Sequence, residues 1–177
     1  MQGERRIMAR LILPLFFMVM MIDGYDLAAM PLALPYIVKD MGIEPSALSG
    51  ALSAVLVGLG AGALLIGPLG DRYGRRLLIV SSLALIGVAT VGTGFSSSIT
   101  EFVFWRFLTG LALGACLPNI TANTAELAPP EKKATTLAFI SAGIAIGGIL
   151  AGVITPMLVA AGGWPLIFYA AGAFIFV

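Results

Sequence analysis

The sequence predicts an all-α membrane protein with six transmembrane helices, the last one truncated. Composition is the first reason: the chain is 59% hydrophobic and only 11% charged, and its mean hydropathy of +1.04 lies far from that of a soluble domain. The second is distribution, because the charges gather into a few clusters. The third is length, since the apolar runs between the clusters can each cross a hydrocarbon core, which takes about 20 residues in a helix.

Residues 1–10, with Arg5, Arg6 and Arg10, read as a short cytoplasmic N-terminal segment. The run behind them resembles the start of a secretory signal. A signal core, however, is about 7–15 residues long and ends at a small-residue cleavage site. This run continues to residue 38, is broken by Asp23 and Asp26, and offers no such site before the acids. It is the first span, 11–38. The second, 47–69, ends at Gly67 and Pro68, and the third, 77–95, begins after a charged turn. The fourth, 102–125, holds Arg106, and the fifth, 134–160, follows Lys132 and Lys133. Gly and Pro within spans are acceptable because neighbouring helices and waters satisfy freed backbone groups. The sixth segment, 164–177, is too short for a span and ends without a polar flank or basic anchor. A truncated reading frame is the expected explanation, ahead of a natural six-span protein.

Basic residues set the orientation. Arg5, Arg6, Arg10, Arg72, Arg75, Arg76, Lys132 and Lys133 fall on one side of the alternating loops, and Lys39 on the other. Positive-inside bias places the N-terminus, the 70–76 turn and the 126–133 loop in the cytoplasm, as in a multi-pass protein of the inner (plasma) membrane. The absence of His and the presence of a single Cys116 inside an apolar run exclude disulfide frameworks, Ser-His and Cys-His catalysis and His-ligated metals. With no nucleophile–base pair and no metal cluster visible, an enzyme is not expected. Nor are a cofactor, a metal or a nucleic-acid partner.

Residues 67–76, GPLGDRYGRR, interrupt two apolar runs. Gly67 and Pro68 end a helix, and Gly70 and Gly74 permit a tight connection with unusual backbone angles. Asp71 suits the positive end of a nearby helix, while Arg72, Arg75 and Arg76 can pair with carboxylates or lipid phosphates. A plain positive-inside turn needs the arginines but neither the Asp nor the glycine spacing.

Inside the membrane, Asp23 and Asp26 are separated by three residues and share a helix face. A mid-bilayer charge costs at least about 2.5–3.5 kcal/mol, so such groups face a cavity or a partner, and Arg106 is the partner on offer. Two readings stay open: a static ion pair between spans 1 and 4, which leaves one Asp unexplained, and a coupled titrating unit of two acids and one Arg that relays a proton. Gly110, Gly114 and Pro118 follow Arg106 at steps of four, a small-residue stripe for close packing of span 4. A similar stripe, Gly50, Ala54, Gly58 and Gly62 on span 2, suits packing on another membrane protein and equally suits contact with a missing C-terminal half.

The spacing G-x-L-G-D-R-x-G-R-R in 67–76 resembles the loop between spans 2 and 3 of the major facilitator superfamily of transporters, and RFLTGLALG resembles its fourth-span pattern R-x-x-x-G-x-x-x-G. The resemblance implies the N-terminal half of a major facilitator fold with a 3+3 inverted repeat. It also implies a cytoplasmic latch of Asp71, Arg75 and Glu126 that breaks as the gate opens; a solvated loop acid is the other reading of Glu126. Ser53-Ala54 with Pro68, and Ser141-Ala142 with Pro156, recur at equal spacing, with Gly60 and Gly148 coinciding, as a repeat relating spans 2 and 5 would require.

IDGYDLAAMPLALP at 22–35 and WRFLTGLALGACLPNITANTAELAP at 105–129 resemble the aromatic acid:proton symporters in particular. Thr124-Ala125-Glu126 stands where that family tends to have T-S-E. The resemblance, shared in part with metabolite and sugar-acid symporters, implies import of a small organic anion such as a hydroxybenzoate together with a proton. Arg106 is then a candidate for the substrate carboxylate, and Tyr25 and Phe139 for an apolar pocket or plain packing. GGILAGVITP in span 5 departs from the G-P-x-x-G-G of drug:proton antiporters. A C-terminal six-span half is missing, so the chain is not expected to transport alone, and Asp23, Asp26 and Arg106 are expected to lie on a face it leaves exposed. The rival class is a non-transporting six-span scaffold or regulatory subunit.

Overall fold

The computed structural model describes residues 2–175, whose regular elements are all helical and are joined by short turns. Helix α1, Gln2–Met41, runs unbroken through Pro14, Pro31 and Pro35. It stops at Gly42, whose φ of 63° is a left-handed value that favours glycine, and the Ile43 N–H returns to the Val38 carbonyl at 3.3 Å. A 3₁₀ turn, Pro45–Leu48, leads into α2, Ser49–Ala61. Pro68 then imposes the next change. It has no N–H to give, and its ring crowds the carbonyl one turn back, so the helix widens into a π turn over Gly62–Ile66. That turn is closed by the Gly67 N–H on the Gly62 carbonyl at 2.8 Å.

Short α3, Leu69–Tyr73, and long α4, Arg75–Gly94, meet at Gly74 with φ 97°. Helix α5, Ile99–Leu127, is capped by the Ser98 side chain, which accepts from the Glu101 N–H. The Glu101 carboxylate reaches back to the Ser97 N–H at 2.7 Å. Helix α6, Lys133–Gly162, ends at Gly163 with φ 87°, and α7 covers Pro165–Ile175. Five of these segments are long and apolar enough to cross a membrane, while Pro165–Ile175 is apolar but short.

The bundle is organised by two glycine-lined seams, α1 on α6 and α2 on α5. A Cβ at Gly58 would meet Phe107 O and Leu111 N, and one at Gly62 would meet Leu111 O and Ala115 N. In the other seam, Gly143 faces Phe17 O and Met21 N, and Gly147 faces Met21 O and Tyr25 N. Gly114 against Leu59 O matches Gly24 against Ile144 O. The two seams are therefore copies, as a 3+3 inverted repeat requires, but their register differs from the echo expected from sequence. Gly62 corresponds to Gly147, and Gly60 does not correspond to Gly148, because close backbone contact fixes the alignment: a Cβ at Gly60 meets nothing within 4 Å, and one at Gly148 comes no nearer than 3.9 Å to Gly24 O.

The span 2 stripe, expected to meet another membrane protein or a missing half, is likewise used internally: Gly58 and Gly62 face α5, and Gly50 approaches Val103. From the other side Gly110 and Gly114 pack on Val55 O and Leu59 O. Pro118, the third of their stripe, is exposed and borders a shallow groove with Leu59 and Ala63. The third pair, α4 and α7, closes the bundle behind α5 and α1, with Gly172 against Val91 and the Gly87 carbonyl.

Candidate functional site

Arg106 is the largest fully buried side chain among the described residues, with 0% of its surface exposed. Three other helices converge on it. From α1, Asp26 accepts from Nη1 at 3.0 Å and from Nη2 at 3.1 Å, a bidentate pair. From α4, the Thr93 hydroxyl accepts from Nε and Nη2 at 3.3 Å while donating to the Ala89 carbonyl at 2.9 Å. The Thr90 hydroxyl donates to Asp26 Oδ1 at 3.1 Å. From α7, the Phe168 ring lies under the guanidinium, 5.3 Å from its centroid. The carboxylate thus holds three donors and the guanidinium is nearly saturated, which is what a charge pair needs to persist in low dielectric.

Asp23 stands apart. It is also 1% exposed, one turn from Asp26, yet neither of its carboxylate oxygens has a hydrogen-bond partner. The two acids expected to share Arg106 are therefore inequivalent. All three groups lie inside this six-helix unit, not on an exposed face as expected: α4 and α7 cover the pair from behind with Thr90, Thr93 and Phe168. Arg106 as it stands presents no free surface to a substrate carboxylate. Thr90, Thr93 and Phe168 were not picked out from sequence. The two threonines, three apart in an otherwise apolar run, were the available signal.

Tyr25 borders an apolar cavity of about 280 Å³, lined by Met21 and Ile22 of its own helix, Leu150 and Ile154 of α6, and Ala170, Ala171 and Phe174 of α7. Its hydroxyl points to the Ile167 carbonyl at 3.5 Å. Phe139, the other aromatic considered for a pocket, is remote from this cavity and stacks on Phe17 at 5.0 Å.

At one end of the bundle, the 67–76 turn brings Asp71, Arg75 and Glu126 together. Arg75 donates through Nε and Nη2 to Asp71 Oδ1 at 3.1 and 3.0 Å and through Nη1 to Glu126. The carboxylates are 70% and 65% exposed, so these bridges contribute little stability in water; Arg72 and Arg76 are exposed as well. What fixes the turn is a residue sequence reasoning passed over. Buried Asn119 of α5 donates to the Gly67 carbonyl at 3.0 Å and to the Ala115 carbonyl at 2.8 Å. A Cβ at Gly70 would fall on its Oδ1, so a glycine there is a requirement of close approach.

Comparison with known proteins places this arrangement. A family model described as Major Facilitator Superfamily matches residues 16–177. The 4-hydroxybenzoate transporter of Pseudomonas aeruginosa is 36% identical over 85% of this chain and 34% of its own length. The gallate transporter of Pseudomonas putida is 33% identical over 92% of this chain and 36% of its own length. The chain thus spans about a third of the curated relatives it matches. Among solved structures, an inward-open xylose transporter from E. coli superimposes with a TM-score of 0.81 at 20% identity, over 95% of this chain and 46% of that one. A six-helix unit with a 3+3 inverted repeat, the turn at 67–76 and these matches lead to one assignment: the chain is a multi-pass membrane protein that belongs to the Major Facilitator Superfamily of transporters.

Proposed function

We infer that this chain is the N-terminal half of a proton-coupled symporter that imports a small aromatic carboxylate, a hydroxybenzoate being the model substrate, with its N-terminus and the 67–76 turn in the cytoplasm. The observation that carries the coupling is the intramembrane set Asp23, Asp26 and Arg106. Ionisable groups at this depth are costly and mark ion or substrate pathways, and one acid without a partner beside an acid–base pair is a site able to hold and release a proton. The relatives' substrates, named as 4-hydroxybenzoate and gallate, support an aromatic acid as cargo. The cluster Asp71–Arg75–Glu126 serves as the cytoplasmic latch. It is weak enough to open within a transport cycle because its bridges are exposed.

Uptake of labelled 4-hydroxybenzoate under an imposed pH gradient tests this reading, with the chain expressed alone and together with a matching C-terminal half. Accumulation only with both halves, abolished by a protonophore, is the expected result. Folded, associated halves that take up none would remove the aromatic acid as cargo, and accumulation indifferent to a protonophore would remove the proton.

A further inference from the structure

At the end of the bundle opposite the 67–76 turn, one hydrogen bond joins the end of α1 to the start of α7. The indole N–H of Trp164 donates to Asp40 Oδ2 at 2.9 Å. An acid in the last turn of a helix faces the negative end of the macrodipole, which works against it. A buried tryptophan needs an acceptor for its one N–H. Each residue answers the other's requirement, and a charged acceptor makes the bond stronger than a neutral one.

The inverted repeat accounts for where this pair stands. Asp40 is the penultimate residue of α1, as Glu126 is of α5. Trp164 directly follows Gly163, the positive-φ residue between α6 and α7, as Arg75 directly follows Gly74, the positive-φ residue before α4. In each three-helix unit, then, the acid that closes the first helix meets the planar N–H donor that opens the third helix of the other unit. Arg75 with Glu126 is one copy, and Trp164 with Asp40 is the inverted one.

The copies differ in chemistry. Arg75 is a charged donor shared between two exposed carboxylates, so salt weakens its bridges. Trp164 is neutral and only 7% exposed. Its ring lies 5.5 Å from Phe102 and 6.2 Å from Phe168 between centroids. Its carbonyl accepts from the Ile167 N–H at 3.1 Å and closes the first turn of α7. Fixing Trp164 therefore fixes the height and rotation of α7. Phe168, one turn on, is the ring that lies under the Arg106 guanidinium.

We propose that Asp40 and Trp164 form a clasp, the inverted counterpart of the Asp71–Arg75–Glu126 cluster, and act as positioning residues that seat Phe168 beneath Arg106. The exposed cluster at the 67–76 end yields readily, whereas the clasp keeps α7 on α1.

NMR of the chain in lipid nanodiscs, isotope-labelled at tryptophan and arginine, reads both roles without any substrate. Trp164→Phe removes one indole signal and so distinguishes it from that of Trp105. A hydrogen bond to a charged group shifts an equilibrium about tenfold or more. The Trp164 indole N–H is therefore expected to exchange with D₂O at least about tenfold faster in Asp40→Ala. In Asp40→Asn, whose amide oxygen still accepts, exchange stays within about threefold of wild type. Salt at about 1 M, which screens exposed bridges, leaves it within about twofold. The Arg106 Nε–H resonance, which senses the Phe168 ring, moves in Asp40→Ala and in Trp164→Phe and returns in Asp40→Asn. Asn119→Ala, a destabilising change near the other end of α5, leaves that resonance in place, which separates positioning from a general loss of stability. Equal indole exchange in wild type and Asp40→Ala overturns the clasp. An Arg106 resonance unmoved in Asp40→Ala, which keeps every ring of the aromatic stack, overturns the positioning role, as does one moved equally by Asn119→Ala.

Discussion

Two glycines of α6 undergo the same substitution with opposite consequences. At Gly152 a Cβ meets nothing within 4 Å, so Gly152→Ala gains the helix propensity of alanine, about 0.8–1 kcal/mol. At Gly147 a Cβ falls on Met21 O and Tyr25 N, both backbone atoms of α1 that no rotamer change can move aside. Helices α1 and α6 must separate, and a gap of about 0.5–1 Å forfeits a quarter to a half of each van der Waals contact along the seam. Overpacking of this kind costs about 1–3 kcal/mol. Taking the difference between the two variants removes the propensity gain common to both, and leaves the seam cost alone. Since every 1.4 kcal/mol is tenfold in the equilibrium, Gly147→Ala is expected to lie roughly five- to 150-fold towards the unfolded state relative to Gly152→Ala. Unfolding of the chain in mixed micelles by added SDS, followed by far-UV circular dichroism, measures both. Equal midpoints for the two variants would refute backbone-to-backbone packing at Gly147, and with it the register that pairs Gly147 with Gly62.

Other substitutions probe the remaining parts. Asp26→Asn, which strips the counter-charge from buried Arg106, is expected to lower stability by about 3–5 kcal/mol in the same assay, whereas Asp23→Asn breaks no hydrogen bond and leaves stability unchanged or raised. Asn119→Ala leaves the Gly67 carbonyl without its side-chain donor and is expected to cost about 1–3 kcal/mol; hydrogen exchange of the Gly70–Arg75 amides should accelerate. Glu126→Gln removes one exposed bridge to Arg75, with a stability change of about 1 kcal/mol or less, and any larger change in SDS midpoint would mean that the latch holds the fold together.

Much of the fold was legible because membrane spans announce themselves by length and hydropathy. Gly74 was legible because a turn this tight needs its positive φ; Gly70 was expected for its backbone angles too, but it lies within helix α3 and is required instead by the close approach of Asn119. The approach of Arg106 to an acid of the first span followed from the cost of a lone charge in hydrocarbon. Which acid it meets was not legible, because Asp23 and Asp26 share a helix face and only the placement of Thr90 and Thr93 on α4 decides between them. The burial of all three groups was missed for a related reason, since the sequence says that α4 and α7 are apolar but not which faces they turn to α1. The repeat register was misread at Gly60 and Gly148, where identical small residues recur without making equivalent contacts. Asn119 went unnoticed as a clamp because its partner is a backbone carbonyl far away in sequence.

Coupling of a proton to an aromatic acid is measured most directly as proton influx driven by substrate. The chain, joined with a matching C-terminal half in proteoliposomes that enclose a pH-sensitive dye, would receive external 4-hydroxybenzoate with no pH gradient imposed. Internal acidification that exceeds that of protein-free vesicles, and that disappears in Asp23→Asn, is the predicted result. Saturable uptake of the labelled acid without acidification beyond the vesicle control would contradict proton symport.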